Sequence, residues 1–120
     1  MLWLAGAQKG LSDRARAAIA GAAGNLFVSA ITGFEIGVKA ARGVLVLPLP
    51  AGEWIERALT LHGIVEIPVT CALTVTAAML PAIHRDPCDR IIVATALAHC
   101  MTVLTTDANI PRYPGVSVLW

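Results

Sequence analysis

Three carboxylates, Glu35, Asp89 and Asp107, occupy the positions of this 120-residue chain from which chemistry is most readily done. Asp107 leaves a strand-like run in Thr105-Thr106-Asp107. Asp89 lies in the first turn of the helix that Asp86-Pro87 begins, and Glu35 sits one turn into another helix among Ile31, Phe34, Ile36 and Val38. Hard oxygen donors at one edge of a sheet suit Mg²⁺ or Mn²⁺, which favours such sites when substrate oxygens complete its shell. Each acid also has an ordinary structural duty. Asp107 could close an Asx turn at a strand exit. Asp86 and Asp89 could form a capping arrangement that complements the helix dipole. Glu35 has Lys39 four residues on as an ion-pair partner. Its apolar neighbours make a bare charge costly, so either Lys39 or a divalent cation must accompany it. The signal lies in the three acids together.

Composition narrows the setting. A chain of this length makes one domain, spanning residues 1–120, and can bury roughly two thirds of its unfolded surface. With 57% hydrophobic and 14% charged residues, disorder is excluded, and a sheet covered on both faces or an apolar surface kept for a partner is expected. A net charge of +1 gives no overall basic footprint, so nucleic-acid binding would need a local patch or a bound metal. Cys71, Cys88 and Cys100 are odd in number and form no C-x-x-C pair, which argues against disulfides or a thiolate zinc site and for a reducing, cytoplasmic setting. The opening apolar run stops at Gln8-Lys9, too soon for a signal peptide, and the uncharged stretch from Ile67 to Ile83 is broken by Pro68 and Pro81. No membrane association is expected.

The elements that must carry the acids alternate. Ser12 caps an Ala-rich helix that runs through Ala23, with Leu11, Ala15, Ala18, Ile19 and Ala22 on one side, and stops at Gly24-Asn25. Leu26 to Ala30 is a strand, and Ser29 or Thr32 opens a helix that runs to Ala41. Glu53 to Leu61 is helical and closed by His62-Gly63; Ile64 to Val69 is a strand; Thr70 caps a helix stopping near Pro81. The helix from Asp86-Pro87 extends to about Cys100, and Thr102 to Thr105 and Val116 to Leu119 are strands. Continuously apolar strands alternating with helices imply an α/β fold with a parallel sheet, whose ligands bind beyond the carboxyl ends of the strands. There are no repeats and no linker. No Gly-rich loop follows a strand, which argues against a nucleotide-binding α/β domain.

Four segments, in order, resemble a family. Ser29-Ala30-Ile31-Thr32-Gly33-Phe34-Glu35-Ile36, then His84-Arg85-Asp86-Pro87-Cys88-Asp89-Arg90-Ile91-Ile92-Val93-Ala94-Thr95-Ala96, then Leu104-Thr105-Thr106-Asp107, and finally Tyr113-Pro114-Gly115-Val116, are similar to PIN-domain toxins of VapBC pairs. No single motif is diagnostic, but the four together cover nearly the whole chain. The resemblance implies a PIN-like three-layer fold and a ribonuclease whose carboxylates hold one or two Mg²⁺ (or Mn²⁺) ions, which activate water for in-line attack on a phosphodiester. By position, Glu35, Asp89 and Asp107 are its metal ligands and catalytic acids. Ser29 and Thr105 match places where the family has a hydroxyl supporting the acids. It further implies an RNA substrate, a small VapB-like antitoxin whose C-terminal segment wraps the toxin, and a toxin homodimer. His84, Arg85, Arg90 and Arg112 could meet RNA phosphate or solvent; His62 and His99 suit helix C-termini. Trp54 and Trp120 are expected to cover core or interface.

The chain departs from the family at its start. PIN domains open with a strand that lies in the middle of the sheet and ends in an aspartate, and in this group an apolar stretch containing Leu-Trp follows it. Here Leu2-Trp3 comes first, so the first, central strand and a fourth acid are expected to be missing, and no replacement strand is legible. A late start or a degraded gene would explain this. The alternative is a catalytically inactive protein that keeps its surface for an antitoxin or for its own dimerisation.

Overall fold

Short apolar runs become strands here because helices bury them on the sheet. The computed structural model describes residues 2–3, 12–22 and 24–120. Its elements, in chain order, are β1 (Leu2–Trp3), α1 (Asp13–Gly21), β2 (Phe27–Ser29), α2 (Ile31–Ala41), α3 (Ala51–His62), β3 (Val65–Ile67), α4 (Cys71–Met79), α5 (Pro87–Ala98), β4 (Thr102–Leu104), a 3-10 turn (Ile110–Arg112) and β5 (Ser117–Leu119). The strands lie parallel in the order β3-β2-β1-β4-β5. This is the expected α/β fold.

The expectation of a missing central strand is corrected. Leu2–Trp3 forms β1 between β2 and β4, with Leu2 in register with Phe27 on one side and Val103 on the other, and Trp3 opposite Leu104. Strands β2 and β4 are only three residues long, so even two residues of extended, uncharged backbone meet most of the inward-facing N–H and C=O groups that would otherwise be orphaned. Asp13 is the first carboxylate of the sequence. Asp13 belongs to the first turn of α1. The expected helix face residues Leu11 and Ala23 lie outside the described residues.

Several boundaries follow directly from local chemistry. Ser12 caps α1 by accepting the Ala15 N–H, and Thr70 caps α4 by accepting the Leu73 N–H. Gly63 ends α3 in the left-handed region at φ 60°, which glycine enters without Cβ strain. Helix α2 starts at Ile31, whose N–H donates to the Ser29 hydroxyl at 3.3 Å, so Ser29 rather than Thr32 serves its first turn.

The core gathers around α5. Ile92, Val93, Ala94, Thr95 and Ala96 are all buried, and Ile92, Val93 and Ala96 pack with Ile67, Val103, Ile110 and Tyr113. Helix α5 also packs against α4, α2 and β4. Thr95 is tolerated in that run because its hydroxyl donates back to the Ile91 carbonyl at 2.7 Å. No helix among the described residues is long and apolar enough to cross a membrane.

The chain runs outward through β1, β2 and β3, then returns to the other side of β1 with β4. The direction of winding thus reverses between β1 and β4, the place where parallel sheets open a crevice at their carboxyl ends. Asp107 follows β4, Glu35 lies on the helix after β2, and Asp89 lies on the helix entering β4.

Candidate metal centre

Asp86 begins the site. Its carboxylate accepts the Cys88 N–H at 2.8 Å, and Pro87 takes the first helical position, where its lack of an N–H costs nothing. That cap sets the first turn of α5 and with it Asp89. Asp107 is set by a different device. Its backbone N–H donates to Thr105 Oγ1 at 3.0 Å, and its own Oδ1 accepts the Asn109 N–H at 2.8 Å, closing the Asx turn. The turn uses one oxygen of the carboxylate and leaves the other, Oδ2, for the site.

His84 joins the two acids. Its Nε2 lies 2.9 Å from Asp107 Oδ2 and 3.2 Å from Asp89 Oδ2. Ligand atoms of His84, Asp89 and Asp107 all fall within 4.8 Å of one another. Glu35 is not part of that trio, but it stands close enough for the Asp89 charge to act on it. Its Oε1 is buried without a hydrogen-bond partner. The expected ion pair with Lys39 is not made: among the described residues no cation lies within 4.0 Å of Glu35.

The electrostatics record a deficit of positive charge. Burial, and then the charge of Asp86, push Asp89 up to about 6. Burial followed by the charges of Asp89 and Asp86 raises Glu35, with Lys39 only a minor opposing influence. Burial and the Glu35 charge raise the Cys88 thiol to about 11, so it stays protonated. For Asp107, burial is outweighed by hydrogen bonds from His84 and the Asn109 N–H, and its carboxyl is held below the usual range. His84 is raised by its hydrogen bond to Asp107. An orphaned carboxylate oxygen beside further carboxylates, with no lysine or arginine paired to them among the described residues, is a donor set that a hard divalent cation would satisfy.

Ser29 and Thr105 are buried, and each spends its hydroxyl on backbone: Ser29 on the start of α2, Thr105 on the Asp107 turn. They position the elements bearing Glu35 and Asp107 through the main chain. Arg85 is exposed beside His84.

Arg90 is a correction. All five of its N–H donors are spent on carbonyl oxygens: Nε on Ala77, Nη2 on Ala78 and Leu80, and Nη1 on Pro81 and His84, at 2.8 to 3.2 Å. It closes the C-terminus of α4 and pins the loop that follows, which leaves no donor for a phosphate. Arg112 reaches Asn109 Oδ1 at 3.3 Å. His62 ends α3 and His99 caps α5, away from the acids. Trp54 lies with Ile36, Ile55 and Leu59 along an apolar groove between α2 and α3.

Sequence reasoning missed His84 as a member of the site, and Arg90 and Tyr113 as its supports. His84 lies 23 residues from Asp107 and 29 from Tyr113, whose hydroxyl accepts the His84 N–H at 2.9 Å. No local pattern marks such pairs.

A sheet of this order with carboxylates converging at its switch point defines a small α/β domain with an acidic crevice. The PIN domain model matches residues 1–116, and the chain belongs to the PIN-domain family. It is similar to Ribonuclease VapC22 of Mycobacterium tuberculosis (strain ATCC 25618 / H37Rv), at 32% identity over 101 residues, covering 82% of this chain and 76% of that protein. The fold is shared with solved structures of FitAB bound to an IR36 DNA fragment (TM-score 0.66, 22% identity, 99% of this chain and 94% of that one). It is shared also with VapBC2 from Rickettsia felis bound to a promoter DNA fragment (TM-score 0.66, 16% identity, 99% and 98%).

Proposed function

We propose that the chain is a divalent-metal-dependent endoribonuclease, the toxin of a toxin–antitoxin pair, with Glu35, Asp89 and Asp107 as the catalytic acids that hold Mg²⁺ or Mn²⁺. One observation carries it: Glu35 Oε1 is buried without a partner next to Asp89, while Asp89 and Asp107 converge on the same crevice from different elements. Glu35 is brought beside Asp89 without a cation of its own only at a cost, which a bound ion would repay. When bound, the ion would activate water and offset charge developing on the phosphodiester.

The residues divide the remaining work. Asp107, fixed by its turn, and Asp89, fixed by the Asp86 cap, define where the scissile phosphate must lie. Glu35 approaches from α2. Arg85, exposed at the rim, is placed to meet a flanking RNA phosphate. Glu35, Asp89 and Asp107 together would supply the negative charge that offsets dehydration of Mg²⁺.

The relative's name supports the ribonuclease assignment, and the VapBC2 and FitAB complexes support a VapB-like antitoxin as partner; a toxin homodimer and a cytoplasmic setting belong to this reading through the family resemblance alone. A second reading is favoured by exposed Val44, Val46, Leu61 and Met79: an inactive PIN-like protein that binds an antitoxin or dimerises. RNA cleavage by the purified chain with Mg²⁺, slowed roughly a hundredfold by Asp107→Asn, would establish the nuclease. Persistent absence of cleavage, with antitoxin binding retained, would establish the second.

A further inference from the structure

We infer that His84 is a positioning residue rather than a metal ligand: held as the Nε2–H tautomer, its ring keeps the Asp107 carboxylate beside Asp89 in the arrangement a cation needs. The inference rests on the metal reading of the site given above.

The ring's two nitrogens face different partners. Nδ1 lies 3.2 Å from the backbone nitrogen of Asp86, which can only donate, so Nδ1 must present its lone pair. The neutral ring's hydrogen is then on Nε2, where Asp107 Oδ2 at 2.9 Å accepts it and Asp89 Oδ2 stands 3.2 Å away. A histidine that ligates through Nε2 needs the opposite tautomer, with Nδ1–H donating to a carbonyl or carboxylate. Here that place is taken by a donor. An Nε2 bearing hydrogen has no lone pair for a metal.

The backbone that carries the ring is also held. The His84 N–H donates to the hydroxyl of buried Tyr113 at 2.9 Å, and the His84 carbonyl accepts from Arg90 Nη1 at 3.2 Å. Both neighbours are locked: Tyr113 in the core, Arg90 by four further carbonyls. Displacing the His84 backbone, and the ring with it, would break a contact on each of the two peptide units that flank it. Asp107 keeps unused lone pairs on Oδ2 after accepting one hydrogen, so clamp and cation can use it together.

Two measurements test this. In ¹⁵N-imidazole NMR of the metal-free chain, above the ring's titration, His84 should show Nε2–H with an unprotonated Nδ1; an Nδ1–H tautomer overturns the inference. Calorimetric titration should show His84→Ala weakening Mg²⁺ and Mn²⁺ alike by about 10- to 100-fold, as loss of a ligand's supporting hydrogen bond does. His84→Gln, whose amide N–H₂ can reach the same carboxylate, should recover most of it. Unchanged affinity in His84→Ala, or loss of Mn²⁺ binding with Mg²⁺ binding kept, overturns the clamp. If the wild-type chain binds neither ion, the metal reading fails instead, and the tautomer alone decides the clamp.

Discussion

Arg90 and His84 are joined across six residues, with the guanidinium Nη1 donating to the His84 carbonyl at 3.2 Å while its other donors hold the end of α4. A residue that reads as an RNA contact is instead the bracket between a helix terminus and the site. Arg90→Ala should therefore unfold more readily in urea, by about 3 kcal/mol, since several carbonyls lose a charged donor at once. Arg90→Lys should restore little of this, because an ammonium cannot span the same fan of acceptors.

Arg85→Ala should behave differently. With no role in the packing of the loop, it should leave the urea midpoint unchanged while weakening RNA binding, an effect that shrinks as salt is raised. Filter binding at two salt concentrations distinguishes the two arginines.

Asp107→Asn keeps an oxygen that can still close the Asx turn, so the fold should survive. The charge that a cation would meet is removed. An interaction of about 3 kcal/mol lost from the bound ion corresponds to roughly a hundredfold fall in cleavage rate. Single-turnover cleavage of a labelled RNA, alongside circular dichroism, checks both halves.

Glu35→Gln should stabilise the metal-free chain by about 1 kcal/mol, because it removes a desolvated charge with no partner, while lowering affinity for Mn²⁺. Thermal melts in EDTA and with Mn²⁺ should move in opposite directions relative to wild type.

The metal-free chain should lose stability as pH rises. Asp89 goes from 3.8 in the unfolded chain to about 6 when folded, so the native state binds the extra proton and its advantage fades between those values. Glu35, also raised, acts in the same direction. The contribution of His84, raised above 6.5, is present below that value and lost as pH climbs through the folded one. Asp107, lowered from 3.8, works oppositely and matters only at more acid pH. Melts in EDTA should accordingly show a higher midpoint at pH 5 than at pH 7.5, with saturating Mn²⁺ reducing or reversing the difference.

The sequence by itself determined what depends on neighbours along the chain. The caps of α1, α4 and α5 at Ser12, Thr70 and Asp86, the left-handed stop at Gly63, the turn at Asp107 and the alternation that makes a parallel sheet are all local chemistry. The placement of the three acids at a strand exit and in helices is local too, because strand exits and helix starts can be read from punctuation. Only the tertiary structure decided that Leu2–Trp3 fills the centre of the sheet, since two residues carry no periodicity and gain a place only from the unpaired backbone on either side. It decided also that Lys39 leaves Glu35 unpaired, that Arg90 turns inward and that His84 stands between Asp89 and Asp107. The contacts of His84 with Asp89, Arg90, Asp107 and Tyr113 cross 5 to 29 residues of chain, set by which helix ends the sheet brings together, and no spacing along the sequence encodes them.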